Sequence, residues 1–236
     1  KPFLARNARI HVNGKSAKST LFSVSDCQSI VKKAIVENLK AAYRTDTLPE
    51  TGPEVIVEVG LLRDMATLAL DCCGAGLSRR GYRTYNVAAP LSETLGAAVV
   101  TLARYRAELP LIDPMCGSGT MPIEAAMIAQ NRAPGLGRAF AAEAWPFVEP
   151  SVWRLAREEA HDSIRPVKLS ILGSDADPRC IELCKRHARK AGVTVDWAVR
   201  PVETLADART GGVLVCNPPY GERMLDRQEA ERLYRR

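Results

Sequence analysis

No apolar run in this 236-residue chain approaches the ~18 residues that a transmembrane helix requires, and no secretory leader pattern is visible. The chain begins at Lys1 rather than at methionine, so the expectation is that a preceding segment belongs to the whole protein. The three histidines, His11, His161 and His187, lack metal-ligand spacing, which argues against a zinc centre, and no metal is expected. Seven cysteines form no C-x-x-C pair, and an odd count does not suggest a disulfide framework. Cys180 and Cys184, one helical turn apart, read as core-facing thiols. The expected setting is reducing and cytoplasmic. Internal repeats, low-complexity tracts and any arguable Ser-His-Asp or Cys-His arrangement are also missing. What remains is a globular composition, 46% hydrophobic and 25% charged, sized for one large domain or two small ones. A net charge of +6 and a pI near 9.0 suit a polyanionic partner, and equally an ordinary solvated basic surface.

Two patterns divide the chain. In residues 1–85, the apolar spacing of Cys27, Ile30, Val31, Ala34, Ile35 and Leu39 predicts a helix over 25–39, N-capped by Ser25 or Asp26. Alternation over 54–61 and 65–71, around Arg63-Asp64, predicts a hairpin beside it. The stretch 74–83 holds Arg79, Arg80 and Arg83 around Tyr82. It could grip a phosphate backbone or be a solvated linker. Lys15 and Lys18 are weaker phosphate-contact candidates. From residue 86 to 236, helices and strands alternate. Helices are expected at 91–103, 121–129, 152–161 and 178–191, with another starting at 226. Strands are expected at 111–113, 169–174, 193–198 and 212–216. This order implies a doubly wound parallel sheet, a Rossmann-like α/β fold. The irregular stretch 131–150 reads as an insertion on the sheet's ligand edge.

Three strand ends carry chemistry. Asp113-Pro114-Met115-Cys116-Gly117-Ser118-Gly119-Thr120 joins a strand to a helix, and its glycines permit positive φ and close backbone approach to a ligand. It has neither the lysine of a P-loop nor a G-x-G-x-x-G pattern, so an adenosyl ligand with a carboxylate fits better than a triphosphate. Asp175 ends the next strand, where an acid can accept two ribose hydroxyls. Asn217-Pro218-Pro219-Tyr220 follows the 212–216 run. Its prolines donate no hydrogen bond, so the loop is stiff and rich in acceptors. The Asn217 side-chain oxygen and the Pro218 carbonyl could share one NH2 group, and Tyr220 could offer a flat face to a base.

These motifs, with Gly173-Ser174-Asp175-Ala176-Asp177-Pro178 and Asn217-Pro218-Pro219-Tyr220-Gly221-Glu222-Arg223, resemble class I S-adenosylmethionine-dependent methyltransferases that act on amino nitrogens. Arg80-Gly81-Tyr82-Arg83 and Ala89-Pro90-Leu91 resemble the THUMP-linked branch. That branch includes bacterial enzymes methylating the guanine 2-amine of large-subunit ribosomal RNA, and its members are often labelled adenine-specific DNA methylases. The resemblance covers nearly the whole chain. It implies part of a THUMP-like RNA-binding domain over 1–85 and a methyltransferase domain over 86–236. It implies S-adenosylmethionine bound by Asp113, Pro114, Cys116, Gly117, Ser118, Gly119, Thr120, Asp175 and Ala176, and catalysis by Asn217, Pro218, Pro219 and Tyr220. The substrate it implies is RNA, namely 23S ribosomal RNA. Two departures stand out. Pro201 falls where the family places an acid for the adenine amine, leaving Glu203 as the substitute. The fold also needs seven strands and this chain supplies four, so the last strands and the front of the THUMP domain are expected outside it. A DNA adenine methyltransferase and a non-catalytic RNA-binding protein are the rival readings, and the intact Asn217, Gly117 and Gly119 argue against the second.

Overall fold

The computed structural model describes residues 4–83, 91–205 and 211–219. Tyr220, Glu222 and Arg223 lie outside them, as does the helix expected from 226. By their contacts the residues form two units, one of 1–76 with 139–156, the other of 77–138 with 157–236.

In the first unit, β1 (Arg9–Ala17) pairs in parallel with β2 (Glu54–Leu62), which pairs antiparallel with β3 (Met65–Leu70). Helix α1 (Val24–Tyr43) makes the crossover that a parallel β1–β2 pair requires. It buries Leu39, with Val31 and Ile35 alongside, against Ile10, Val12, Val57 and Val59. Its N-cap is Ser23, two residues earlier than expected. β1 had no counterpart in the expected elements. Gly14 interrupts its alternation because α1 crosses there, and a Cβ would stand 2.8 Å from Val24.

The expected insertion at 131–150 is corrected in two ways. Residues 139–156 group with the first unit, where Trp145 is buried and its indole N–H reaches the Glu54 carbonyl at 3.4 Å. Residues 131–138 follow the carboxyl end of the preceding helix. That helix starts at the sheet's ligand edge and runs back, so they begin at the opposite edge.

In the second unit, four parallel strands stand in the order β6-β5-β4-β7. They are β4 (Leu111–Asp113), β5 (Ile171–Asp175), β6 (Asp196–Val199) and β7 (Val213–Leu214). Helices α2 (Glu93–Leu102), α3 (Thr120–Ala129) and α5 (Pro178–Ala191) alternate with them, as does α4 (Pro150–Asp162), of which only 157–162 groups with this unit. The chain moves outward from β4 through β5 to β6, then returns to place β7 on β4's other side. The switch point therefore lies between β4 and β7, and the crevice outside the carboxyl ends there is where open α/β sheets bind ligands. The core joins Leu111, Ile171 and Val215 to Val100, Ile123 and Ala126. α5 is legible residue by residue: Asp177 caps it, Pro178 opens it, and Gly192 ends it in the left-handed conformation at φ 70°.

Candidate active site

The loop after β4 is held in place by its own backbone and by β5. Gly117 (φ 54°) and Gly119 (φ 82°) both adopt the left-handed conformation. The Gly117 amide donates to Asp175 Oδ2 at 2.9 Å, and the Cys116 amide donates to the Ser174 carbonyl at 2.9 Å. Asp175 is therefore a strut of the loop as well as the end of β5. Its Oδ1 accepts from the Asp177 amide at 2.9 Å, and each carboxylate oxygen retains a further lone pair. Ala176, between the two acids, is exposed. Among the described residues, a Cβ on Gly117 would meet nothing within 4 Å, whereas one on Gly119 would stand 2.8 Å from the Trp197 ring and 2.9 Å from Cys184 Sγ. Gly117 thus faces open space, and Gly119 is packed from behind.

The backing comes from α5, on the spacing Ile181, Cys184, His187, Ala188, all buried. Cys184 Sγ donates to the Gly117 carbonyl at 3.1 Å and lies 3.8 Å from Cys116 Sγ. Burial and the Cys184 contact push the Cys116 thiol up, the contact most, so it is an inert packing group. His187 Nδ1 lies 3.1 Å from the Ser118 carbonyl, which requires a proton on Nδ1. Burial lowers its pKa, so the ring stays neutral. Asp113, wholly buried, accepts from the Met115 amide at 3.3 Å through Oδ1, while Oδ2 has no partner among the described residues. Burial pushes its pKa up to about 8, with the nearby Asp175 charge adding to the shift. Pro114, Ser118 and Thr120 are also buried.

β7 sets the third strand end beside the first. Val213 and Leu214 pair with Leu111 and Ile112, and the Val215 amide donates to the Ile112 carbonyl at 3.0 Å. Asn217, Pro218 and Pro219 follow at the carboxyl edge. Asn217 is exposed and has no hydrogen-bond partner among the described residues, while both prolines are half-buried. Residues 80–236 match the RMKL-like, methyltransferase domain, two thirds of the chain.

The chain belongs to the RMKL-like methyltransferase domain family.

A THUMP domain matches residues 1–71. The chain is 43% identical to a Bacillus subtilis (strain 168) protein named "Putative RNA methyltransferase YpsC", covering 99% of this chain and 62% of that protein. It superposes with a TM-score of 0.93 and 46% identity on a crystal structure from Listeria monocytogenes str. 4b F2365, described as a "predicted N6-adenine-specific DNA methylase", over 99% of this chain and 62% of that one. A third relative, SMU.472, is described as "a putative methyltransferase complexed with SAH". Its TM-score is 0.88 at 39% identity, over 98% of this chain and 63% of that one. The chain thus spans less than two thirds of the length of these relatives.

Within this RMKL-like methyltransferase unit, two of the three arginines of the segment 74–83 are committed to carboxylates of the same unit. Arg79 is exposed. The other two arginines turn inward, because their carboxylate partners lie on helices. Arg80 Nε sits 3.6 Å from Glu124 on α3, and the Tyr82 hydroxyl donates to the same carboxylate at 2.9 Å. Arg83 Nε sits 3.8 Å from Glu93 on α2, and its terminal nitrogen donates to the Thr120 hydroxyl at 2.6 Å and the Leu91 carbonyl at 2.8 Å. Burial raises the Glu124 pKa, and Arg80 and Tyr82 counter it. Residues 80–83 form a strap, buried at Tyr82, that ties α2 and α3 together at the start of the loop helix. In the first unit, Lys15 on β1 and Lys18 just after it are exposed. Glu203 lies exposed on a 3-10 turn, Val202–Thr204, after β6, on the same edge as Asp175. The backing residues His187 and Cys184 were not expected as site residues, although their spacing on α5 carried the signal. Among the described residues, no His, Cys, Asp or Glu group could hold a metal, and no helix is long and apolar enough to cross a membrane.

Proposed function

We propose that the protein transfers a methyl group from S-adenosylmethionine to an exocyclic amine of an RNA base, the guanine 2-amine of 23S ribosomal RNA, in the cytoplasm. One observation carries the reading: the glycine loop, Asp175 and Asn217-Pro218-Pro219 end three neighbouring strands on one edge, astride the switch point. The residues fit the cofactor. Among the described residues, Gly117 leaves room for a ligand against the backbone, Asp175 keeps lone pairs for two hydroxyls, and Asp113 Oδ2 is an orphaned buried oxygen. Pro114, Cys116, Ser118, Gly119, Thr120 and Ala176 would complete the cradle, with Glu203 in the role of the acid that the family places near Pro201. The bound cofactor supplies an electrophilic methyl on a sulfonium.

The chain's own part is to hold and aim the amine. An aromatic amine is a weak nucleophile because its lone pair is shared with the ring. Acceptors at the Asn217 side chain and the Pro218 carbonyl would hold its two hydrogens and favour a pyramidal nitrogen. The same dipoles would stabilise the positive charge that develops there. The nitrogen–carbon bond forms as the carbon–sulfur bond breaks, and the resulting ammonium loses its proton to water without a general base. Pro219 stiffens the loop, and Tyr220 would stack on the extruded base, worth ~1–3 kcal/mol.

The THUMP match at 1–71 favours RNA over DNA. Arg79, Lys15 and Lys18 are the exposed cations proposed to meet phosphates. The test is transfer of labelled methyl from S-adenosylmethionine to RNA and to DNA, followed by nucleoside identification. The expected product is 2-methylguanosine. 6-Methyladenosine in DNA would establish the rival substrate, and no transfer to either would overturn the activity.

A further inference from the structure

A second built site lies away from the transfer edge. A cavity of about 270 Å³ opens among the carboxyl end of α3, the loop 132–137 and the carboxyl end of α5, all within the methyltransferase unit. Its cationic lining is Arg80, Arg132 and Lys190; His161, 3.8 Å from Asp162, also lines it, and no carboxylate does among the described residues. Arg80 is committed to Glu124 and to the Leu77 carbonyl. Arg132 is not. Among the described residues its guanidinium has no hydrogen bond or ion pair, and its Nε is buried without a partner. Lys190, exposed in the last turn of α5, has no partner among the described residues either.

Cations at helix carboxyl ends are ordinary, since they complement the dipole and can bond the last carbonyls. That does not account for Arg132. The carbonyls of Ala126, Met127 and Ile128 on α3 are taken by the backbone amides of Gln130, Arg132 and Asn131, those of Ala188 and Arg189 on α5 by Val193 and Gly192, and among the described residues the guanidinium bonds none of the others. The guanidinium instead lies across Gly192, its atoms 3.1–3.2 Å from where a Cβ would stand. The buried Nε of Arg132 lacks an acceptor among the described residues, which is costly, and the half-buried guanidinium lines a cavity in which an anion would supply one.

The cavity wall is preformed. Arg157 donates to the Leu136 carbonyl at 3.2 Å and the Arg138 carbonyl at 2.9 Å, and Arg138 donates to the Arg79 carbonyl at 3.3 Å. Gly81, at φ 93°, packs so closely that a Cβ would collide with the Gly137 carbonyl. At 1.5 Å per residue, the ten residues of α3 put the cavity ~15 Å from the glycine loop.

We propose that this cavity binds a phosphoryl group, with Arg132 and Lys190 as its donors. The group is a phosphodiester of an RNA strand or a free phosphate, and the RNA source rests on the function proposed above whereas phosphate binding does not. An RNA phosphate here would fix the strand's register without touching the reacting base.

Two arms test this on the full chain. Calorimetry with inorganic phosphate, against chloride of matched ionic strength, should show saturable binding that Arg132→Gln abolishes and Lys190→Gln weakens. RNA binding across a salt series should lose about one from its log–log slope in Arg132→Gln. Loss in both arms, or in the RNA arm alone, identifies an RNA phosphate; loss in the phosphate arm alone identifies a free phosphate. Circular dichroism checks the folding of each variant. Should Arg132→Gln not fold, the exposed Lys190→Gln carries both arms. A wild-type chain without saturable phosphate binding, together with variants that keep the wild-type RNA slope, would overturn the site. Absence of methyl transfer would overturn the proposed function and leave both binding arms readable on their own.

Discussion

Gly117→Ala separates backbone strain from ligand contact. At φ 54° an alanine costs roughly 1–2 kcal/mol in the left-handed region. Among the described residues nothing lies within 4 Å of the new methyl, so they add no packing penalty. For a chain of this size that strain lowers the melting temperature of the methyltransferase unit by about 2–8 °C. The methyl would stand where the backbone faces the proposed cofactor. S-Adenosylmethionine affinity should therefore fall at least tenfold, or about 1.4 kcal/mol, beyond the strain. Gly211→Ala is the matched control. It has φ 72° and nothing within 4 Å among the described residues, but it precedes β7 at the far edge of the sheet. It should cost the same stability and leave affinity unchanged. Gly119→Ala should destabilise most, because the strain at φ 82° is joined by the close contacts with Trp197 and Cys184. The assay is thermal denaturation paired with calorimetric titration of S-adenosylmethionine. A folded Gly117→Ala protein that binds it as wild type does would refute the assignment of this loop.

Three further outcomes follow from the same geometry. Asp175→Ala should weaken S-adenosylmethionine binding by roughly 1–3 kcal/mol, through lost charged hydrogen bonds and a loosened loop, and unchanged calorimetric affinity would remove Asp175 from the site. Asp113 has a folded-state pKa near 8 against about 3.9 unfolded, so the folded state holds a proton that the unfolded state releases, and stability should fall as pH rises from about 4 to about 8. Urea titrations at pH 5 and pH 8 should show Asp113→Asn losing less stability than wild type over that interval, and equal losses would contradict the assignment. Replacing Lys15, Lys18 and Arg79 together by alanine should lower the log–log salt slope of RNA binding by about one per lost phosphate contact, and a wild-type slope would make them solvated surface.

Much of the methyltransferase unit could be read from local signals. Leu111-Ile112-Asp113 was delimited to the residue because a short apolar run ends in a Gly-containing turn. α5 was legible because its start, stop and apolar face agree with one another. β7 is shorter than the 212–216 run, since only Val213 and Leu214 stand in register opposite β4 residues. Illegible features depend on contacts distant in sequence. Arg80 and Arg83 look like phosphate ligands until α3 and α2 bring Glu124 and Glu93 to them. β1 hides because its second half, from Asn13, carries polar residues and a glycine that only the crossing of α1 explains. The grouping of 139–156 with the first unit depends on Trp145 reaching β2 across ninety residues of chain, which no local pattern encodes. In the site, the loop and Asp175 could be picked out as ligand-edge residues, but the hydrogen bond between them could not.

The most direct test is methyl transfer by Asn217→Ala, measured with labelled S-adenosylmethionine on RNA alongside cofactor affinity. The side chain is exposed and without a partner among the described residues, so its removal should spare the fold. Cofactor affinity should stay near wild type, because the glycine loop and Asp175 belong to β4 and β5. Transfer should fall by about 10²–10³, the loss typical of removing one polar group that stabilises developing charge in a transition state. An Asn217→Ala enzyme with wild-type transfer, or a wild-type product methylated on a ring carbon or a ribose, would contradict the account.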